Sequence, residues 1–308
     1  MKIGVLFSGQ GAQYSGMMKE LYDSEPSAKE VFDLADAALG RKVSQICFYG
    51  TQEELNLTHN TQPCMLAGDL AAAMVLKAHG IAADAVAGFS LGEYAALTYA
   101  GVISAEEAFR IIQIRADAMQ EAATPDSGAM AAFLGGSPKE VEEICSRVSE
   151  GYVAVANYNS PVQTVVSGTV EGVDEAIRIA EASGVRCIKL AVSAPFHCKL
   201  MEPAAQKLKY EFENTVFSDP VLPVYMNIDG KPCNKKETIP DLLVRQAMSP
   251  VRWSTTLNNM AADGIDTFIE CGAGKTLSGL VKRTLKNVTI LRVENLKTLN
   301  ETLEKLNT

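Results

Sequence analysis

The pentapeptide Gly88-Phe89-Ser90-Leu91-Gly92 constrains this chain more than any other stretch. DAVAGFS (84–90) reads as a short apolar strand, and LGEYAALTYAGVI continues it as a helix. A strand that turns abruptly into a helix brings backbone segments close together, which explains small residues on either side of the turn. The central serine then projects at a helix N-terminus, where the amide of Leu91 is free of any helical partner. KIGVLFSGQGAQ near the start reads as another buried strand entering a glycine turn, the usual opening of an α/β unit.

The remaining pattern extends that reading. Residues 16–39 and 62–79 carry helix-spaced apolar positions, and SAEEAFRIIQIRADAMQEAA (104–123) opens with a serine cap and acidic first-turn residues. After TPDSG (124–128) the texture changes to strand, helix, strand, strand, helix, strand, the βαββαβ order of a ferredoxin-like unit. An inserted small subdomain is expected at 126–195, between catalytic segments 1–125 and 196–308. Beyond it the chain resumes α/β texture, with a helix after 199, strands at 222–228 and 265–270, and a final strand and helix.

Composition limits what this fold can serve. With 308 residues, 47% of them apolar, the chain can bury one large core or two unequal lobes. No apolar run approaches the roughly 20 residues that cross a bilayer, so no membrane span is expected. The seven cysteines are odd in number and form no CxxC pair, a pattern that suits reduced thiols in a cytoplasm. A net charge of −9 argues against nucleic acid as a partner. It also requires a local basic patch wherever an acidic ligand is bound.

A serine nucleophile needs a base, and there are three histidines. His79 closes a helix, where a cation suits the dipole. His59 reads as a polar surface loop. His197, in SAPFHC just past the small subdomain's return, is the expected partner of Ser90, while the adjacent Cys198 reads as inert packing. GQGAQY (9–14) and GAGKT (272–276) miss glycines that a dinucleotide fingerprint and a P-loop require, so neither predicts nucleotide binding. The Gln10 amide is instead a second candidate oxyanion donor beside that of Leu91. Arg115, within a helix apolar on that face, is either a salt-bridged arginine or a planar fork for a substrate carboxylate.

Several spaced segments together resemble one family. They are FSGQGAQ (7–13), TQP (61–63), GFSLGEY (88–94), the Arg and Met of QIRADAMQ (113–120), NSPVQTVVSG (159–168), SAPFH (193–197), QAMSPVRW (246–253) and ECGAGKTLSGL (270–280). The family is that of the malonyl-CoA:acyl carrier protein transacylases of fatty acid synthesis, related to polyketide synthase acyltransferase domains. The resemblance implies an α/β-hydrolase-like core with a parallel sheet and an inserted ferredoxin-like subdomain. It implies Ser90 as nucleophile, His197 as base, and the Gln10 and Leu91 amides as oxyanion hole. It also implies a backbone carbonyl at Gln246 that orients the histidine, and Arg115 as the malonyl carboxylate site, with Met119 beside it. Phe196 is expected to narrow the pocket against branched acyl groups.

The implied substrate is malonyl-CoA and the implied partner an acyl carrier protein, with no cofactor or metal and a monomer as the working unit. KTLSGLVKRTLK (275–286) is the candidate basic docking surface for that acidic carrier. One departure stands out. The family has histidine before the nucleophile, and this chain has Phe89, which donates no hydrogen bond; the Ser90–His197 pair is untouched. The alternatives are a trans-acting polyketide acyltransferase, an acyl-thioester hydrolase, and a non-catalytic module that binds carrier protein.

Overall fold

The computed structural model describes residues 1–123, 128–192 and 194–306. The expected subdomain boundary at 125/126 and Ser193 of the SAPFH segment lie outside the described residues. Ten strands are present among those described: β1 (Ile3–Phe7), β2 (Ala85–Gly88), β3 (Ala129–Leu134), β4 (Val153–Ser160), β5 (Gln163–Gly168), β6 (Arg186–Lys189), β7 (Val224–Tyr225), β8 (Pro232–Cys233), β9 (Thr267–Cys271) and β10 (Thr289–Val293). They form two sheets in a mixed α/β architecture.

The larger sheet runs β10-β9-β1-β2-β7-β8, parallel except for β8 at its edge. β1 and β2 are buried at every residue, as continuous apolar strands covered on both faces must be. Their register pairs Phe7 with Gly88, so the segments Ser8–Gln10 and Phe89–Leu91 leave the same sheet edge side by side. That adjacency, between residues about eighty apart in sequence, builds the site.

The smaller sheet is antiparallel, in the order β4-β5-β3-β6, and the βαββαβ succession expected from sequence is the one observed. Its two helices, Pro138–Arg147 and Val170–Ala182, close an apolar core of their own over one face of the sheet. A β-bulge between Val155 and Asn157 in β4 receives Val251 from the larger unit. The Val251 N–H donates to Ala156 O, and the Tyr158 N–H donates to Val251 O, each at 2.9 Å. Two backbone bonds thus hold the small sheet against the segment that follows Gln246.

Several expectations need correction. The helical pattern over 16–39 is two helices, Lys19–Ser24 and Pro26–Leu39, because Pro26 has no N–H to continue the first. The strand expected at 222–228 shrinks to Val224–Tyr225, and Asn227 beyond it turns its side chain into the core. The helix expected from 62 begins at Thr58, so His59 lies in its first turn and not in a loop. Pro63 sits inside that helix and leaves the His59 carbonyl without its helical donor. Arg41 Nη2 supplies one at 2.7 Å and also binds Gln113, while its Nη1 binds Asn60. The glycine of GAGKT has a packing role. A Cβ on Gly272 (φ 120°) would lie 2.0 Å from Asp69 Oδ1 and 2.4 Å from Ser8 Oγ.

Arg41 is therefore the repair for an internal proline. Arg41→Met is expected to lower unfolding free energy by about 1–3 kcal/mol, the cost of orphaned partly buried acceptors, measured by urea denaturation.

Candidate active site

The turn from β2 into the helix Gly92–Tyr99 holds Ser90 at φ 55°, in the left-handed region. The flanking glycines permit it. A Cβ on Gly88 would lie 1.9 Å from the backbone of Gly92, and one on Gly92 would lie 2.4 Å from the Phe7 carbonyl oxygen. Both ends of Ser90 are tied down. Its N–H donates to Asn227 Oδ1 at 2.7 Å, and its carbonyl accepts from Gln246 Nε2 at 2.7 Å. Asn227 Nδ2 in turn donates to the Gly88 carbonyl at 2.6 Å.

His197 is buried and also left-handed, at φ 59°. Its Nδ1–H donates to the backbone carbonyl of Gln246 at 2.9 Å, which leaves the Nε2 lone pair facing Ser90 Oγ at 2.7 Å. A carbonyl accepts only, so this contact selects the tautomer in which Nε2 can take a proton. Burial, followed by the nearby Arg115 charge, lowers the imidazole from 6.5 to about 4, against opposing backbone contacts at Gln246 and Ser249. The imidazole is therefore neutral, and basic in form, throughout the physiological range.

Arg115, on the helix Ala105–Ala122, is 1% exposed. Its Nη1 donates to Gln62 Oε1 at 2.8 Å, and its Nη2 reaches both Ser90 Oγ and Gln246 Oε1 at 3.1 Å. The Tyr94 ring lies 5.6 Å from the guanidinium carbon. Arg115 Nε is buried with no acceptor among the described residues. Among the described residues no carboxylate forms an ion pair with the group, whose partners are neutral amides and the serine hydroxyl.

A cavity of about 760 Å³ opens over this pair. Gln10, Ser90, Arg115, Met119, Phe196 and His197 all line it, together with Lys282 and Arg283. Leu91 and Gln246 lie behind its wall, buried. The backbone amides of Gln10 and Leu91 make no hydrogen bond to any described residue, so both remain available as donors beside Ser90. Met119 Sδ accepts from Gln62 Nε2 at 3.6 Å, which places it next to the arginine. Cys198 is buried against Pro195 O and Ser167, with its thiol pushed up by burial, as an inert packing cysteine would be. Phe89 packs edge-on against Trp253, ring centroids 5.3 Å apart, and so occupies its position as an apolar wall.

Three positions at the heart of this arrangement escape sequence reasoning. Asn227 follows a two-residue strand and carries no local signature. Gln62 falls within the quoted TQP but has no periodic signal of its own. Glu93 is the single acid in an otherwise apolar helix, a signal that reads equally well as a complement to the helix dipole.

A serine on a strand-to-helix turn, bonded to a buried neutral imidazole and overlooked by free amides, is the equipment of a serine acyl-transfer enzyme. The chain belongs to the acyl transferase family, whose domain model matches residues 5–301. Its relatives narrow the family to malonyl CoA-acyl carrier protein transacylases. That of Bacillus subtilis (strain 168) is 42% identical over 312 residues, covering 99% of this chain and 98% of its own. The crystal structure of the Clostridium perfringens transacylase superposes with a TM-score of 0.97 at 41% identity, covering 100% of this chain and 98% of that one. A malonyl-transacylase solved in complex with its type II PKS acyl-carrier protein matches at 37% identity and a TM-score of 0.96, over 99% of this chain and all of that one.

The lowered imidazole gives a pH signature. Protonated His197 cannot accept the Ser90 proton, so a depressed pKa keeps Ser90 reactive to lower pH. Phosphonylation of Ser90 by a neutral fluorophosphonate is expected to hold as pH falls through 6.5 and to be lost only toward about 4. Stability follows the same sign. The folded state resists protonation at His197, so its contribution is full above 6.5 and is lost as pH falls toward 4. A rate profile with a midpoint near 6.5 would contradict this.

Proposed function

We propose that the chain transfers a malonyl group from malonyl-CoA to the phosphopantetheine thiol of an acyl carrier protein, through a malonyl ester on Ser90. The observation that carries this reading is the 2.7 Å contact between Ser90 Oγ and His197 Nε2 beside a buried arginine with an unused N–H. His197 Nε2 takes the Ser90 proton as Oγ bonds to the thioester carbon. The tetrahedral oxyanion is held by the Gln10 and Leu91 amides, and collapse breaks the C–S bond. The imidazolium returns its proton to the departing coenzyme A sulfur. The second half runs in reverse, with the carrier's thiol losing its proton to His197, attacking the ester carbon and freeing Ser90 Oγ.

Arg115 supplies the preference for a carboxylated acyl group. A malonyl carboxylate held by this guanidinium, which lines the cavity, would orient the thioester over Ser90. Met119 and Phe196 line the same space and limit branching. The cavity is far larger than a three-carbon acyl group, which leaves room for the pantetheine arm. Lys282 and Arg283, at the end of the helix Thr276–Thr284, also line it, and they support docking of an acidic carrier. The scheme uses no metal or redox cofactor, and one chain supplies every group, so we read a cytoplasmic enzyme that works as a monomer. No described helix is long and apolar enough to cross a membrane. In architecture we read residues 1–125 and 196–308 as a hydrolase-like catalytic unit and 126–195 as its ferredoxin-like insert.

Intact-mass analysis after mixing with malonyl-CoA tests the reading. A malonyl adduct should form on the wild type, persist in buffer, and move to added carrier protein; Ser90→Ala should form none. Loss of the adduct to water without carrier would point to a hydrolase, and no adduct on the wild type to a binding module. Arg115→Ala should cut transfer from malonyl-CoA by about 100-fold or more while leaving acetyl-CoA less affected, since only the former loses a charge-assisted pair. Charge reversal at Lys282 and Arg283 should raise the apparent KM for carrier protein; an unchanged value would count against docking there.

A further inference from the structure

Behind the Ser90–His197 pair lies a buried carboxylate that the reaction scheme does not use. Glu93 is 0% exposed, and each of its oxygens accepts one hydrogen bond. Oε1 takes the backbone N–H of Asn227 at 2.5 Å, and Oε2 takes Gln246 Nε2 at 2.9 Å. These two donors belong to the residues that hold both ends of Ser90. Asn227 Oδ1 fixes the Ser90 N–H, and Gln246 Nε2 fixes the Ser90 carbonyl. Gln246 is also the residue whose backbone carbonyl orients His197 and whose Oε1 accepts from Arg115. One carboxyl group therefore anchors two residues, Asn227 by its backbone and Gln246 by its side chain, on which the serine, the histidine and the arginine all depend.

We propose that Glu93 is the positioning residue that keeps Ser90, His197 and Arg115 in a common register. Its carboxyl group acts on the reacting atoms through Asn227 and Gln246, while its own backbone N–H donates to the Ser90 carbonyl at 3.1 Å. The inference rests on the reading of Ser90 as nucleophile and adds a device to it.

The donor and acceptor pattern explains why a carboxylate serves here. Gln246 Nε2 has two acceptors to satisfy, Ser90 O and Glu93 Oε2, while its Oε1 is committed to Arg115. That pattern fixes which way the Gln246 amide points. A residue at 93 that presents an N–H toward Gln246 opposes two donors and favours a flipped amide, which would set the Gln246 oxygen against the Ser90 carbonyl. Burial pushes the Glu93 carboxyl up to about 8, while the Asn227 N–H, the Arg115 charge and the Gln246 amide oppose that rise. Asn227 is wholly buried.

The isosteric variant Glu93→Gln tests the assignment, because it keeps volume but leaves a single acceptor oxygen for two donors, the Asn227 N–H and Gln246 Nε2. Turnover, melting temperature and the rate of Ser90 phosphonylation by a neutral fluorophosphonate are measured together. In the probe reaction the Ser90 Oγ–P bond forms, P–F breaks, fluoride leaves and the proton passes to His197. The expected result is a drop of about 100-fold in kcat, as follows from a misplacement of roughly 1 Å at the reacting atoms, with KM for malonyl-CoA changed less than about threefold. Phosphonylation should slow in parallel, since it needs the Ser90–His197 register but no carboxylate at Arg115. Asp36→Asn, which weakens a comparable acceptor of the Ser44 N–H and hydroxyl far from the site, should lower the melting temperature without slowing either rate. If Glu93→Gln does not accumulate folded, Glu93→Asp is read in its place, since the shorter carboxylate cannot span both donors. Wild-type rates in the folded variant, at whatever melting temperature, overturn the positioning role. Absence of label on wild-type Ser90 would overturn the functional reading itself.

Discussion

Everything at the site depends on a backbone held where side chains rarely go. Among the described residues only four other than glycine have positive φ, and two of them are Ser90 and His197. Such conformations cost of order 1–3 kcal/mol each, and they persist only where surrounding bonds over-determine them. At Ser90 the surrounding bonds are visible. Asn227 and Gln246 grip its two peptide groups, and the glycines on either side allow the backbones of β1, β2 and the following helix to close to contact. Ser90 lines the cavity from this turn, with Oγ 2.7 Å from His197 Nε2.

The parallel pairing of β1 with β2 converts that local turn into a site. Because Phe7 and Gly88 are in register, the Ser8–Gln10 segment emerges beside Ser90 without any long side chain having to reach across. The buried pair formed by Ser8 Oγ and Asp69 Oδ1, 2.6 Å apart, then packs beneath Gly272 and fixes the base of that segment. The small sheet completes the enclosure from the other side, and its bonds to Val251 tie it to the stretch that carries Gln246. Ser90, Arg115 and Gln246 stand on or directly beside helices, and hydrogen bonds fix His197 and Asn227 on their turns, as a reaction sensitive to fractions of an ångström requires.

Much of this was legible in the sequence, for identifiable reasons. β1, β2, the helix Ala105–Ala122 with its Ser104 cap and the βαββαβ succession are local patterns, written in periodicity and capping chemistry. Ser90 stood out because its turn needs glycines at fixed offsets, and His197 because few histidines compete. Asn227 and Glu93 stayed hidden because their roles exist only in contacts between distant residues. The bond from Ser90 to Asn227 spans 137 positions, and that from Gln246 to Glu93 spans 153. Gln246 was reached only through family resemblance, since a backbone carbonyl leaves no trace in the identity of its residue. The helix breaks at Pro26 and the tolerated Pro63 divide the same way. The first follows from proline's missing N–H, whereas the second survives through Arg41, from a different helix boundary altogether.

The electrostatics of the pocket make sense as a unit. Arg115 is buried beside an imidazole that must accept a proton, and its charge is the second cause, after burial, of the lowered His197 pKa. A cation next to a general base is unfavourable for proton uptake, so in isolation the arrangement weakens catalysis. In the proposed reaction the malonyl carboxylate arrives against Arg115 and cancels that charge at the moment the base is needed. The imidazolium formed as Ser90 attacks then faces a neutral pair in place of a bare cation, and an acyl group without a carboxylate brings no such relief. In that scheme selectivity for a carboxylated substrate would act in the chemical step as well as in binding, because the guanidinium that would hold the substrate also lowers the base, second to burial. Glu93 accepts from Gln246, whose Oε1 in turn accepts from Arg115, and so it holds the guanidinium's partner in place from behind.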